Sequence, residues 1–258
     1  MKLRFLGTGT SFGIPVAGCG CATCTSGDAR DRRTRHGALL EDGGRTLLID
    51  TPPELRLQLV AAGVGRVDAV WYTHCHADHN QGVDDLRVFS VRRSAALPVY
   101  AGRVCAEVLR SRFDYVFDPT VRPLEGTTKP DAELHTLEPL REVEVAGMRL
   151  LPLPAPHGAV ETLGFRTGDL GYITDAKRLP DATRAALSGV RVLVLNALWY
   201  GRPHPTHFNV EEAVAEAARI GAERTYLTHL SHQVRHAELE RDLPAGVFPA
   251  YDGLVTEI

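Results

Sequence analysis

The sequence lacks any apolar run long enough to cross a membrane, and it begins with a short strand-like stretch and a glycine-rich loop instead of the apolar core of a secretory signal. It also lacks a marked excess of either charge, because 29 basic side chains nearly balance 32 acidic ones. We therefore expect a cytoplasmic protein that binds neither membranes nor duplex nucleic acid. The 258 residues, of which 44% are hydrophobic, predict one globular domain covering 1–258.

Cysteine is scarce and odd in number: the chain has five, of which Cys19, Cys21 and Cys24 fall within the stretch GCGCATC. An odd count in a cytoplasmic chain argues against a disulfide framework, so this cluster indicates a metal site. Cys75 is predicted to pack away from the histidines on either side of it. Cys105 is predicted to be a small buried residue of a helix.

Strand and helix patterns follow one another along most of the chain. GALLEDGGRTLLID predicts a hairpin, VRVLVLNAL a strand covered on both faces, and NVEEAVAEAARIG a helix capped by Asn209 with Glu212 three residues later. The chain is expected to end in a strand, a helix and a hairpin. Residues 114–139 are rich in proline and charge without periodicity, which predicts a surface insertion. Both halves run from strands into strand–helix units, so we predict two sheets sandwiched between helices.

A strand-like stretch, VDAVWY, leads into THCHADH, which places His74, His76, Asp78 and His79 within six residues. An extended backbone turns alternate side chains to one side, so His74 and His76 reach a common point. A turn after His76 directs the side chains of Asp78 and His79 to a second point nearby. Imidazole and carboxylate ligands suit a borderline divalent ion such as zinc, manganese or iron. The motif therefore predicts a metal site instead of a polar loop with incidental histidines.

Four side chains from one loop cannot complete two metal sites, so further ligands are expected at the ends of later strands. Three residues stand in that context: His157 after RLLPLPAP, Asp175 after LGYIT and His229 after RTYLT. Asp175 is the best candidate for a bridging ligand, because a carboxylate offers one oxygen to each of two ions. His36, His135 and His236 have no partners by spacing and are predicted at the surface or behind the site, and for His36, beside the basic run RDRRTR, the mouth of the site is an open alternative.

The order of these residues resembles the metallo-β-lactamase fold of binuclear hydrolases over nearly the whole chain. The resemblance implies an α/β protein, a four-layer αββα sandwich, with two divalent ions, zinc or manganese, at the sheet edges. It implies the following ligands: His74, His76 and His157 for one ion, Asp78, His79 and His229 for the other, and Asp175 between them. Asp50, which ends TLLID, matches an aspartate that supports the metal loop from behind.

The cysteine-bearing loop is similar to that of PhnP-type cyclic phosphodiesterases, which are related to ribonuclease Z. Those proteins hold a structural zinc with three loop cysteines and a histidine just beyond the last active-site ligand. The resemblance thus implies a closed Cys3His site made by Cys19, Cys21, Cys24 and His232. HPTHFNVEEA places His207 just before a helix, where the family has a catalytic histidine.

The function implied by this resemblance is metal-dependent hydrolysis of a small, cyclic phosphodiester. His207 would protonate the leaving group, while Asp78 would bind a metal and orient the nucleophile. A homodimer agrees with the family. Three alternatives stay open: a transfer-RNA 3′-processing nuclease, a thioester or lactone hydrolase of the same fold, and a binding module with a zinc knuckle. The span between Asp175 and His207 shows no arm for transfer RNA, and a binding module would need one zinc ion instead of three metals.

Overall fold

A computed structural model describes all residues from Met1 to Ile258. The chain forms two seven-stranded sheets. The strands of the first sheet are β1 (Lys2–Gly7), β2 (Gly37–Asp42), β3 (Arg45–Ile49), β4 (Ala69–Tyr72), β5 (Leu97–Gly102), β6 (Ala132–Leu137) and β14 (Val255–Glu257). The strands of the second sheet are β7 (Val143–Val145), β8 (Met148–His157), β9 (Val160–Thr167), β10 (Leu170–Tyr172), β11 (Val192–Asn196), β12 (Arg224–Thr228) and β13 (Val247–Pro249).

Helices cover the outer face of each sheet. They are α1 (Leu55–Ala61), α2 (Ala77–Asn80), α3 (Arg87–Arg93), α4 (Arg103–Arg112), α5 (Asp114–Phe117), α6 (Asp181–Ala186), α7 (Val210–Ile220) and α8 (His236–Asp242). Short 3-10 turns lie at Ala29–Asp31 and Val83–Leu86. None of the helices combines the length and apolar character that crossing a membrane would require.

Three apolar clusters of similar size define the layers of the molecule. One, with 20 buried residues, fills the space between the sheets, where the indole of Trp71 meets the ring of Phe165 at 5.3 Å. The other two, with 19 residues each, lie between one sheet and its covering helices. Because the apolar side chains divide almost equally among three interfaces, the chain has four layers. The predicted αββα sandwich is confirmed.

Strand direction brings the carboxyl ends of several strands to one edge of the molecule. In the first sheet β3 and β4 run parallel. In the second, β10, β11 and β12 are parallel, and β8 shares their direction because β8 and β10 both pair antiparallel with β9. Side chains that follow these strands therefore meet at a common edge, where α/β proteins commonly place their sites.

Several predicted elements are confirmed. The hairpin of β2 and β3 turns through Gly43 and Gly44, both with positive φ. Helix α7 begins with a complete capping box, in which the Asn209 side chain accepts from the Glu212 backbone and the Glu212 side chain accepts from the Asn209 backbone.

Two predictions about the chain's organisation are wrong. The last strands do not form a hairpin, because β13 pairs with β12 in the second sheet and β14 pairs with β1 in the first. The segment 114–139 is not wholly an insertion, because its residues 132–137 form edge strand β6 against β5. Only Ala132 and Leu137 of this strand are buried, so its sequence shows no regular alternation.

Candidate metal centre

The first cluster consists of three histidines from both sheets: His74, which follows β4, His76 in the same loop, and His157 at the end of β8. Nε2 of His74 lies 3.0 Å from Nδ1 of His76, and Nε2 of His157 lies 3.2 Å from that same atom. His74 and His157 are buried, whereas His76 is open to solvent. Three imidazole nitrogens thus converge on a point at the surface of the sheet edge.

The second cluster consists of Asp78, His79 and His229. The first two lie on the short helix α2, and His229 follows β12 directly. Oδ2 of Asp78 lies 3.6 Å from Nε2 of His79 and 3.7 Å from Nε2 of His229. A turn after His76 therefore separates the side chains of His74 and His76 from those of Asp78 and His79, as the sequence predicts. The latter two meet His229, which comes from the second sheet.

Asp175 lies between the two clusters. Its Oδ2 is 3.8 Å from Nε2 of both His74 and His157 in the first cluster. The same oxygen is 3.6 Å from Nε2 of His79 and 3.3 Å from Nε2 of His229 in the second. One carboxylate oxygen is therefore placed within reach of any ion held by either cluster.

Three residues of this region adopt left-handed backbone conformations that side chains other than glycine rarely take. The φ angles are 60° at Asp50, 54° at Asp175 and 57° at His229. Each residue stands directly or closely after a strand end, where the chain must turn sharply to direct its side chain inward. Such conformations cost on the order of 1–3 kcal/mol each and concentrate at functional sites.

Supporting contacts set which nitrogen each histidine directs toward the clusters. Asp50 is buried and accepts hydrogen bonds from the backbone N–H and hydroxyl of Thr73, and its Oδ2 lies 2.7 Å from Nδ1 of His79. His79 therefore donates from Nδ1 and keeps Nε2 free. Nδ1 of His157 likewise donates to the Thr206 carbonyl at 2.9 Å. These are the outer contacts that orient metal-binding histidines.

The donor atoms fit divalent cations. The buried histidine nitrogens that have no hydrogen-bond partner all belong to this region: Nε2 of His79, Nδ1 of His207 and both ring nitrogens of His229. Burial opposes a charge on His79, but the carboxylates of Asp175, Asp78 and Asp50 outweigh it and raise its pKa well above the ordinary value. The carboxylates around the clusters thus favour a positive charge at this place. Metal ions held by the imidazole and carboxylate side chains would supply that charge.

Cys19, Cys21 and Cys24 surround Nδ1 of His232, with sulfur–nitrogen distances of 3.4, 3.5 and 3.7 Å. Zinc bond lengths and tetrahedral angles would place ligand sulfur and nitrogen about 3.6 Å apart. The Cys24 backbone N–H donates to the Cys21 sulfur and lowers the pKa of that thiol to about 6. The four side chains therefore suit a closed Cys3His zinc site joining the N-terminal loop to the segment after β12.

His207 borders both clusters. Its Nδ1 lies 3.9 Å from Oδ2 of Asp175, and its ring lies 4.5 Å from that of His157 and 4.9 Å from that of His229, measured between centroids. Burial lowers the pKa of His207 to about 3. His204, in contrast, is only half-buried, and its Nδ1 accepts from the Thr206 backbone. His207 is thus the histidine of this loop that faces the site.

A cleft of about 390 Å³ opens over the two clusters and is bordered by Ser11, Val160 and Thr206. Its floor consists of His76, Asp78, His157, Asp175, His207 and His229. The candidate side chains are therefore open to a small molecule.

Cys105 is buried in a helix, as predicted, but its sulfur is joined to that of Cys75 in a disulfide, which the odd number of cysteines had argued against. Cys75 does turn away from the neighbouring histidines, but it points at the first turn of α4, where Cys105 is buried among apolar side chains. The separation of 30 positions hid this proximity, since a sequence does not show that the loop after β4 lies beside α4. The short spacing of the cysteines in GCGCATC reveals that cluster, but no sequence pattern indicates that Cys75 pairs with Cys105.

For His36 the predicted position behind the site is confirmed, and the alternative position at its mouth is wrong. His36 has no exposed surface and lies behind the second cluster, with its ring centroid 5.3 Å from that of His79. His236 is buried as well, whereas His135 is half-buried on edge strand β6.

Comparison with known proteins agrees with this architecture. Residues 45–230, more than two thirds of the chain, match the model of a beta-lactamase superfamily domain. The fold and the histidine and aspartate clusters together define a metal-dependent hydrolase of the metallo-β-lactamase fold that binds divalent metal.

A crystal structure of a diphosphatase from the PhnP family superposes with a TM-score of 0.91 and is 39% identical, covering 100% of this chain and 97% of that one. The chain belongs to the PhnP family of the beta-lactamase superfamily. Ribonuclease Z from Methanopyrus kandleri is 26% identical, over 100% of this chain and 98% of its own length.

An octanoyltransferase from Porphyromonas gingivalis is 38% identical over 98% of this chain. The chain spans about half the length of that relative, 51%. The activity in its name therefore belongs to a protein about twice as long.

Proposed function

We propose that the chain is a binuclear metal-dependent phosphodiesterase acting on small phosphodiesters, cyclic ones among them. The observation that carries this proposal is the position of Asp175. Its Oδ2 lies 3.3 to 3.8 Å from four imidazole nitrogens that belong to two separate clusters. One carboxylate between two such clusters suits a pair of divalent ions, zinc or manganese, and a pair of ions suits displacement at phosphorus.

The side chains of the first cluster would hold one metal ion, those of the second cluster would hold the other, and Asp175 would contribute to both. Bound there, the ions would supply Lewis-acid activation of water and neutralise charge on the phosphoryl group. Asp78 directs Oδ2 at the second cluster, and its other oxygen is available to orient the attacking water. His207 offers Nδ1, which has no partner and faces Asp175, as the donor of a proton to the leaving group. Burial lowers the pKa of the free imidazole to about 3, so we propose that the negative charge of a bound phosphate raises this pKa enough for the ring to carry the proton that it gives up.

Similar proteins support phosphoryl chemistry over the alternatives. The diphosphatase is similar over the full chain, and its name describes hydrolysis of a diphosphate, so phosphoanhydrides belong beside cyclic esters among the substrates to test. Ribonuclease Z, whose name describes a nuclease, is a second relative that points to chemistry at phosphorus. Between Asp175 and His207 this chain has only α6, β11 and short connections, with no protruding arm to hold transfer RNA. We therefore favour a small substrate, which also suits a cleft of about 390 Å³.

The first test is hydrolysis of bis(p-nitrophenyl) phosphate by protein loaded with zinc or manganese. We expect activity that His79→Ala abolishes, and three metal ions per chain by elemental analysis: two in the clusters and one in the Cys3His site. Cyclic nucleotides, dinucleoside diphosphates and precursor transfer RNA would then be compared. Protein that holds all three ions and cleaves none of these would overturn the proposal.

The role of His207 can be separated from metal binding by varying the leaving group. His207→Gln should retain three ions and lose about 10²- to 10⁴-fold in kcat for substrates with an alkoxide leaving group. The same variant should lose little with p-nitrophenolate, which departs without a proton. An equal loss for both leaving groups, or loss of one ion, would assign His207 to metal binding instead.

Acyl-ester hydrolysis is a second candidate, and the 38% identity with the octanoyltransferase is the observation that favours it. Metals that polarise a phosphoryl oxygen also polarise a carbonyl, so the same clusters would serve. If the protein hydrolyses an octanoyl thioester with a higher kcat/KM than every phosphodiester tested, acyl-ester hydrolysis is its function. We expect the reverse, because the full-length diphosphatase relative matches the chain from end to end.

A further inference from the structure

His229 is held differently from the other histidines of the site. A metal-binding histidine normally donates its second ring N–H to a carboxylate, a carbonyl or water, which fixes the orientation of the ring. His79 and His157 follow this rule through Asp50 and the Thr206 carbonyl. Neither ring nitrogen of His229 has a hydrogen-bond partner within the protein, so no protein group orients its ring as Asp50 orients that of His79, and the side chains packed around it take on more of that role.

Three other imidazoles pack around the ring of His229, beside the carboxylates of Asp78 and Asp175. Its ring stacks on that of His207 at 4.9 Å and on that of His79 at 5.8 Å, with interplanar angles of 22° and 17°. On the protein side, the ring of His36 lies 6.3 Å from that of His229 and 5.3 Å from that of His79. His36 is therefore the one side chain outside the clusters whose ring packs against two members of the second cluster.

His36 is itself fixed by contacts that cross between the two sheets. It stands immediately before β2 of the first sheet, and its Nε2 shares a 2.8 Å hydrogen bond with the hydroxyl of Tyr172 at the end of β10. Its Nδ1 lies 3.5 Å from the hydroxyl of Thr228, the last residue of β12. His36, Tyr172 and Thr228 all have no exposed surface.

We propose that His36, locked by Tyr172, is a positioning residue that sets the geometry of the second cluster for its metal ion. The second cluster takes Asp78 and His79 from the first sheet and His229 from the second, so its shape depends on how the sheets sit relative to each other. The bond between His36 and Tyr172 joins the two sheets directly behind these residues. This role rests on the proposed binuclear site and extends it to residues that touch neither ion nor substrate.

The test measures metal affinity instead of hydrolysis. Metal-free protein would be titrated with Co²⁺, whose visible absorption reports the ligand geometry. Co²⁺ bound by the three cysteines has separate thiolate charge-transfer bands, so the Cys3His site is counted apart from the two clusters. Tyr172→Phe removes only the hydroxyl that bonds to Nε2 of His36, the shorter of the two contacts that fix this ring. We expect it to weaken binding of the second cluster ion about tenfold and alter its absorption band, with the first ion unchanged.

The chain offers a matched control in Tyr226. Its hydroxyl lies 3.0 Å from that of Thr256 and also joins β12 to a strand of the first sheet, but away from the clusters. Tyr226→Phe should therefore lower thermal stability by a similar amount and leave both cluster affinities unchanged. His36→Ala should weaken the second ion at least as much as Tyr172→Phe. Combining the two substitutions should add little, because both act through one bond.

Equal Co²⁺ affinities and spectra for wild type, Tyr172→Phe and Tyr226→Phe would show that His36 is ordinary core packing, and would overturn the proposal. Tyr172→Phe remains informative if His36→Ala fails to fold, since it keeps the aromatic ring in place. The outcome does not depend on phosphodiester hydrolysis. A protein that binds two cluster ions with the expected differences but cleaves no phosphodiester would sustain this inference and refute the proposed function.

Discussion

Cys75 lies between His74 and His76, and its bond to Cys105 ties the loop that carries the first cluster to helix α4. The loop also receives a hydrogen bond from Arg112 of the same helix to the Cys75 carbonyl. A crosslink between residues 30 positions apart limits the freedom of the unfolded chain more than it changes the folded one. Its effect should therefore appear in stability before it appears in catalysis.

Reducing this bond should destabilise the protein by about 3 to 4 kcal/mol, from the chain entropy of a loop of that length. Urea unfolding of wild type with and without a phosphine reductant measures the difference. Cys75→Ser should match reduced wild type and be insensitive to reductant. Alkylation followed by peptide mass spectrometry checks the pairing itself: full labelling of Cys75 in unreduced, denatured protein would contradict it.

Helix α7 links stability to the proposed catalytic loop at the scale of a structural element. Its cap residue Asn209 lies two positions after His207. The Asn209 side chain accepts from the Glu212 backbone at 2.8 Å and donates to the Gly201 carbonyl at 2.7 Å. One side chain therefore starts the helix and also anchors the loop that presents His207.

These two roles of Asn209 should separate by substitution. Asn209→Ala removes both and should cost about 1 to 2 kcal/mol of stability together with a fall in kcat. Asn209→Asp keeps the oxygen that caps the helix but loses the donor to Gly201, so it should recover most of the stability and little of the kcat. Thermal melts and steady-state kinetics measure the split. Recovery of both properties in Asn209→Asp would show that the contact with Gly201 is unimportant.

Local patterns in the sequence predict elements well, and contacts between distant elements poorly. The capping box, the hairpin and the candidate ligands of THCHADH depend on residues a few positions apart, and each can be found from spacing. The locations of β13 and β14 in opposite sheets depend on packing between segments far apart in the chain, as does the position of His36 against Tyr172. The candidate ligands His157, Asp175 and His229 could be found from the sequence because each stands at or just after the end of an apolar strand.

At the scale of the whole molecule, a buried polar network joins the N-terminal segment to the end of the chain. Arg33 is 1% exposed and donates to the Thr8 hydroxyl, the Ala250 carbonyl and Nδ1 of His236, the last at 3.2 Å. Because the guanidinium donates to Nδ1, His236 is neutral in the folded protein. Burial and the charges of Arg33 and Arg30 lower its pKa to about 4.

This network predicts a pH-dependent term in stability. The unfolded chain takes up a proton on His236 below about pH 6.5, whereas the folded protein resists protonation until the lower value near 4. The contribution of neutral His236 to the free energy of unfolding is therefore complete above pH 6.5. It falls by up to about 3 kcal/mol as the pH is lowered toward 4. Urea unfolding of wild type and His236→Gln should therefore converge between pH 7 and pH 4.5. A difference that stays constant across this range would contradict the prediction.

Both chain ends lie at one corner of the first sheet. The Ile258 N–H donates to the Met1 carbonyl at 3.0 Å, and Lys2 pairs with Glu257. Strand β1 then runs toward Gly9, which bridges to Leu230 beside the clusters, so the termini occupy the end of the strand farther from the cleft. A linker joining the ends would be only a few residues long, which makes the molecule a candidate for circular permutation. A solid support or a fused partner attached at either end would leave the cleft facing outward.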